Sequence, residues 1–235
     1  MQEEPRRILV NDTGLGRFLT KVYGYMTLGV IISALVSFLT LTTYRTQFFG
    51  FVSAHPAIWW ILMIAEVGLV MGTSFRVSRG GLMSFMLFML YAVINGLTLA
   101  LILSMYTTGN ITTAFVAAAG TFAGMSLYGS LTKRNLNGIG QMSFAALIGL
   151  IVAMVVNMFL RNPMIDYVFS FIGVIIFIGL TAWDSQRLKL IYQQHGTEIN
   201  TNGLAVMGAL QLYMDFINLF LFFLRIFGFG GSSNR

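Results

Sequence analysis

The chain has no cysteine among its 235 residues. That absence excludes disulfides, thiolate metal sites and cysteine nucleophiles together. Charge is nearly as scarce: Asp, Glu, Lys and Arg make up 9% of the residues, against about 25% in a soluble domain. A chain this poor in charge cannot cover a water-facing surface. With 57% hydrophobic residues, it reads as an all-α integral membrane protein. The formal charge is +6, but nothing resembles a nucleic-acid surface, and in a membrane protein the placement of positive charge matters more than its sum. The opening "MQEEPRRILVNDTG" has no apolar run followed by a small-residue cleavage site. No cleaved signal peptide is expected, and the first apolar run would serve for insertion.

What the chain does have is Phe (21), Met (15) and Gly (25), a mixture suited to helices packed within a membrane. A bilayer core needs about 20 apolar residues per helix. Seven runs qualify, near 20–41, 57–76, 82–104, 111–131, 140–160, 164–188 and 203–227. The connections between them are short and polar, so neighbouring helices are expected to run antiparallel in one bundle. This divides the chain into a cytoplasmic tail (1–19), a seven-helix transmembrane domain (20–227) and a short C-terminal tail (228–235). A six-helix alternative treats the last run as re-entrant, because Gln211, Asp215 and Asn218 interrupt it.

Basic residues set the orientation. An N-inside, C-outside arrangement puts Arg6, Arg7, Arg17, Lys21, Arg76, Arg79, Lys133, Arg134, Arg187 and Lys189 on the inner side. Only Arg45, Arg161, Arg225 and Arg235 remain outside, the bias that favours this topology.

Three of the acids fall well inside apolar runs, away from the tails and loops: Glu66 in the second, Asp184 late in the sixth and Asp215 midway along the seventh. An acid at a helix centre costs about 2.5–3.5 kcal/mol on insertion scales, and such residues face a protein interior or a wet cavity with a partner. Gln211, Asp215 and Asn218 follow i, i+4, i+7 spacing and share a helical face. Thr181, Asp184 and Arg187 share another, with Arg187 positioned to snorkel to the interface. The plainer readings are a structural partnership of Asp184 with a nearby Arg, and structural roles for Glu66 and Asp215. His55 and His195 lie in connections and read as solvated. Gly120 and Gly124 stand at GxxxG spacing and suggest close helix packing within the monomer.

The segments "GLTAWDSQRLK" and "LYMDFINLFLFFLRIFG" closely resemble the sixth and seventh helices of the Bax inhibitor family, and "KVYGYMTLGV" and "MSLYGSLTKRNLNGIG" look like its bacterial branch. The resemblance spans nearly the whole chain and implies a bacterial inner-membrane protein. It implies seven helices with the last one central, and a pH-sensitive calcium leak in which two aspartates act together as the sensor. By motif these are Asp184 in "WDSQ" and Asp215 in "MDFIN". It also implies an arginine of the second helix latching onto the pair, Arg76 or, in the other register, Arg79.

Two carboxylates close together in a low-dielectric interior cannot both carry charge cheaply, and they hold protons as a unit. A shared proton would join their helices. Its removal would leave repulsion, or recruit a cation such as Arg76 or a calcium ion. Repulsion argues for opening on deprotonation; the latch implied by the resemblance argues for opening on protonation. Calcium prefers six to eight oxygen ligands. Two aspartates supplemented by Gln211, Asn218, carbonyls and water would bind it weakly, as a permeant ion; no cofactor is expected.

Rival readings are a non-conducting regulator that binds another membrane protein, a membrane protease among the candidates, and a proton-coupled cation carrier. An enzyme is not expected: intramembrane aspartyl proteases set their later aspartate in a Gly-x-Gly-Asp turn, whereas this chain has "YMDF". A retinal-binding protein needs a lysine within a helix, and Lys21, Lys133 and Lys189 all sit at membrane edges.

Overall fold

The computed structural model describes residues 12–76, 81–195 and 201–230, with side chains at all of these except 12, 13, 75, 76, 195 and 230. The described residues form eight helices and no strand: α1 (Asp12–Thr42), α2 (Arg45–Ala54), α3 (Ile58–Arg76), α4 (Gly81–Leu103), α5 (Thr108–Leu131), α6 (Asn137–Leu160), α7 (Pro163–His195) and α8 (Thr201–Gly230). Several run past the apolar stretches that announce them. Hydropathy marks the depth of the bilayer, whereas a helix continues until a cap or breaker stops it. Thus α1 starts ahead of the apolar run at 20, inside the stretch expected to be a tail, and α7 continues beyond 188.

The first connection, expected to be a loop, contains the short helix α2. It carries no proline from Arg45 to Ala54 and stops at His55, whose backbone is kept from helical geometry by Pro56. The axes of α2 and α3 then differ by 100°. Six helices are long and apolar enough to cross a membrane, and the bent α2–α3 pair has the same character when taken as one unit. The re-entrant alternative for the last run does not hold, since α8 is continuous from Thr201 to Gly230.

Local chemistry sets the other boundaries. Thr107 caps α5 by accepting a hydrogen bond from the Asn110 amide at 3.2 Å. Arg161 ends α6 in the left-handed region at φ 53°. Asn157 Nδ2 then donates to the Asn162 carbonyl at 3.0 Å and to Asp166 Oδ1 at 2.6 Å, closing the turn into α7, where Pro163 takes the first helical position.

The last helix is the axis of the bundle. It packs against α1, α4, α5 and α7, and touches α3. Its buried residues, among them Leu204, Ala209, Tyr213, Phe216, Leu219 and Leu224, cover most of its circumference, and the stripe through Met207, Gln211, Met214, Asn218 and Arg225 is half-buried or exposed. Outside it, α6 rests on α7 and leaves Ile148, Ile151, Val155 and Phe159 exposed. In lipid such exposure is the ordinary condition. Helix association then rests on close packing and interhelical hydrogen bonds rather than on escape from water.

That packing does not use the GxxxG pair. A Cβ on Gly120 or Gly124 would meet nothing within 4 Å. The close approaches are at Gly129, where a Cβ would run into the Ala182 carbonyl of α7, and at Gly140, where it would strike the Trp183 ring. Spacing alone misplaces the contact because it does not say which face of α5 turns inward.

Candidate functional site

Four consecutive residues of α7 face four different neighbours. Trp183 packs over Gly140 and donates from Nε1 to Asn137 Oδ1 at 3.1 Å on α6. Asp184 faces α8. Ser185 donates to Ser126 Oγ at 3.0 Å on α5. Gln186 accepts from the Leu136 amide at 2.9 Å and donates to the Arg134 carbonyl at 2.8 Å, holding the α5–α6 connection. Successive helical residues are about 100° apart, so four in a row sweep the full circumference. With its neighbours fixed on either side, the Asp184 carboxyl has little freedom to turn away from α8.

On α8 the facing residue is Asp215. The two carboxyls lie within hydrogen-bonding reach of each other, and Gln211, one turn before Asp215, also approaches Asp184. Both aspartates are almost enclosed, 4% and 5% exposed. Asp184 Oδ1 and Asp215 Oδ2 are buried and receive no hydrogen bond from any donor among the described residues. Ionised carboxylates are acceptors only, so the pair can bond only through a proton carried by one of them. A buried unsatisfied oxygen is costly, and a proton or a cation between the carboxyls would remove that cost. Arg187, a turn further along α7, acts on Asp184 through its charge while its guanidinium lies 5.1 Å from the Trp183 ring. Thr181 is bonded to the Phe177 carbonyl of its own helix.

Two polar residues singled out from the sequence do not join the pair. Asn218 donates to the Met214 carbonyl at 2.8 Å, a bond to its own helix that removes its amide from the aspartates. Glu66 belongs to a different polar cluster. Its Oε1 receives Asn95 Nδ2 at 3.4 Å, and Thr98, whose hydroxyl donates to the Ile94 carbonyl at 3.4 Å, stands beside it. Asn95 Oδ1 in turn accepts from the Tyr213 hydroxyl at 2.8 Å, and Tyr213 meets Ser33 Oγ at 2.5 Å. This chain of polar contacts joins α3, α4, α8 and α1, and sequence reasoning missed it. A tyrosine among apolar residues reads as packing, and only the placement of Asn95 opposite it reveals the bond.

A third group joins the Tyr23 hydroxyl of α1 to Ser126 Oγ at 2.5 Å, and so to Ser185 beside Asp184. The Arg76 side chain and all of Arg79 lie outside the described residues, so neither register of the latch is located; the ring of His195 lies outside them too. His55 is exposed at the end of α2, its Nδ1 3.1 Å from the Phe51 carbonyl. No group of three or more His, Asp and Glu able to hold a metal occurs among the described residues. A cation at Asp184 and Asp215 would need carbonyls and water to complete its shell.

Comparison with known proteins matches residues 15–233 to the family described as "Inhibitor of apoptosis-promoting Bax1". The inner membrane protein YbhL of Escherichia coli K12 is 42% identical over 218 residues, 92% of each chain. The protein YrjE of Lactococcus lactis is 37% identical over 220 residues, 94% of each chain. A protein of Borreliella burgdorferi is 36% identical over 231 residues, 97% of each chain.

Proposed function

This chain belongs to the Bax inhibitor family and is a multi-pass protein of the bacterial inner membrane, and from that premise we propose that it is a pH-sensitive calcium leak channel gated by the Asp184–Asp215 pair. The observation that carries this reading is the burial of two facing carboxyls, each with an unsatisfied oxygen, at the contact between the central helix and α7.

With one proton shared, the pair is a cross-link between the helices. With the proton gone, two negative charges face each other in a medium that screens them poorly. That state is relieved by helix separation or by a cation entering between them. Proton occupancy thus biases an element with two arrangements, as a switch requires. Weak oxygen ligation suits passage better than storage, because conduction needs sites an ion can leave. The channel takes the N-inside, C-outside orientation, with α2 and α3 together forming one of seven crossings. Arg76 or, in the other register, Arg79 supplies a cation that closes on the ionised pair.

The test is calcium flux in proteoliposomes across pH, comparing the native chain with Asp184→Asn and Asp215→Asn. The native protein leaks without saturation and with a pH-dependent rate, and each variant loses the pH dependence. A leak that falls as pH rises marks the arginine latch; one that rises marks repulsion between the carboxylates. Unchanged titration in both variants removes the sensor. Saturable flux converts the reading to a carrier, absence of flux at every pH to a regulator of another membrane protein, and cleavage of a reporter helix to an enzyme.

A further inference from the structure

A cavity of about 680 Å³ lies between α1 and α5 on the side of α8. Both helices pack on α8, and the Tyr23–Ser126 bond joins them away from the cavity. The floor is Phe216, Ile217 and Phe220. The deep wall includes Val30, Ser33 and Leu99, and the flanks carry Phe38 and Phe115, 62% and 42% exposed. At the other end the lining turns polar, with Thr42, Ser104, Thr108 and Thr112. That end is where α1 and α4 finish and α5 begins. From Ser33 to Thr42 along α1 the groove is about 14 Å long at 1.5 Å per residue. Arg45 stands at the polar end and is the only charged residue among the described lining.

Depth, wall chemistry and rim charge together select an occupant. A vestibule for calcium would not be lined mainly by apolar side chains with a single positive charge at its mouth, since that charge repels a divalent cation. A long apolar slot with hydroxyls and one cation at its rim is complementary to an acyl chain with an anionic head. Its aromatic flanks are exposed, so in a bilayer the surrounding lipid is the source at hand. We propose that this groove binds one acyl chain of an anionic phospholipid of the membrane, with the phosphate held at Arg45. The chain lies on Phe216 and Ile217, directly after Asp215 on the same helix. The site therefore touches the helix to which the proton switch is assigned, but its existence does not depend on that assignment.

Native mass spectrometry of the protein released from vesicles containing equal phosphatidylglycerol and phosphatidylcholine tests the proposal without reference to flux. The native chain retains a two-chain phospholipid and favours phosphatidylglycerol by about fivefold, the factor one interfacial arginine supplies. Arg45→Gln removes the preference and Arg45→Lys restores it. Ala34→Phe, which fills the groove from an exposed position on α1, evicts both lipids while its unfolding transition stays native. Equal retention of the two lipids by the native chain, an unchanged preference in Arg45→Gln, or retention of a free fatty acid in place of phospholipid each overturns the proposal. If Ala34→Phe fails to fold, the two Arg45 variants decide alone.

Discussion

Ser33 on α1 and Tyr213 on α8 are both buried and meet hydroxyl to hydroxyl at 2.5 Å. Tyr213 gives its proton to Asn95 Oδ1, an acceptor only. It therefore accepts from Ser33, which also faces the Gly29 and Ala92 carbonyls at 3.0 and 2.8 Å. One phenol thus ties the central helix to two surrounding ones. Tyr213→Phe is expected to lower stability by about 1 kcal/mol. In a Ser33→Ala/Tyr213→Phe double-mutant cycle, the coupling should be about 0.6 kcal/mol and no more than about 1.7, the range found between membrane helices. Unfolding titrations in mixed micelles measure both. Zero coupling would mean that Ser33 spends its proton on the carbonyls alone.

The glycines give a sharper contrast. A Cβ at position 129 collides with backbone of α7, which cannot swing aside as a side chain can. Gly129→Ala should therefore cost about 1–3 kcal/mol through overpacking, and should shift α7 and Asp184 with it. Gly120→Ala, on the same helix with open space around it, should change stability by less than about 0.5 kcal/mol. The paired unfolding measurements distinguish these glycines, which sequence spacing ranks in the opposite order.

Gln186 holds the segment between α5 and α6 with both ends of its amide. In Gln186→Leu the buried Leu136 amide keeps its neighbours but loses its acceptor, at a cost of about 1–3 kcal/mol. Limited proteolysis should cut near 132–136 in the variant sooner than in the native chain. Equal cutting would show that another group replaces the glutamine.

The absence of cysteine makes topology directly measurable. Gly109→Cys and Lys133→Cys place single thiols at exposed positions at opposite ends of α5. With the N-terminus inside, a membrane-impermeant maleimide added to the outer face labels Cys at position 109 and spares Cys at position 133. The reverse pattern inverts the orientation.

How much of this was legible depended on whether a residue's role was written in its own helix. Asp184 and Asp215 stand out because a charge in an apolar run is costly wherever it points, and Gln211 follows from i, i+4 spacing. Asn218 satisfies that spacing equally well, yet its amide turns to its own backbone. A side chain that can bond locally need not reach across. Glu66 was recognisable as an anomaly but not by its partners, because Asn95 and Tyr213 come from distant parts of the chain. Helix α2 was missed for a simpler reason: hydropathy locates bilayer crossings, and a ten-residue helix beside one carries no such signal.

The difference between Gln211 and Asn218 also yields a pH prediction. Gln211 approaches Asp184, and an amide donor beside a carboxylate changes how readily that carboxylate gives up its proton. In Gln211→Leu the pH dependence of the leak should persist, with its midpoint displaced. Asn218→Leu should leave the midpoint in place, because Asn218 donates to Met214 of its own helix. Flux measured from acid to alkaline pH in both variants reads the two midpoints side by side. A shift in Asn218→Leu without one in Gln211→Leu would place the groups that set the midpoint one turn after Asp215 instead of one turn before it.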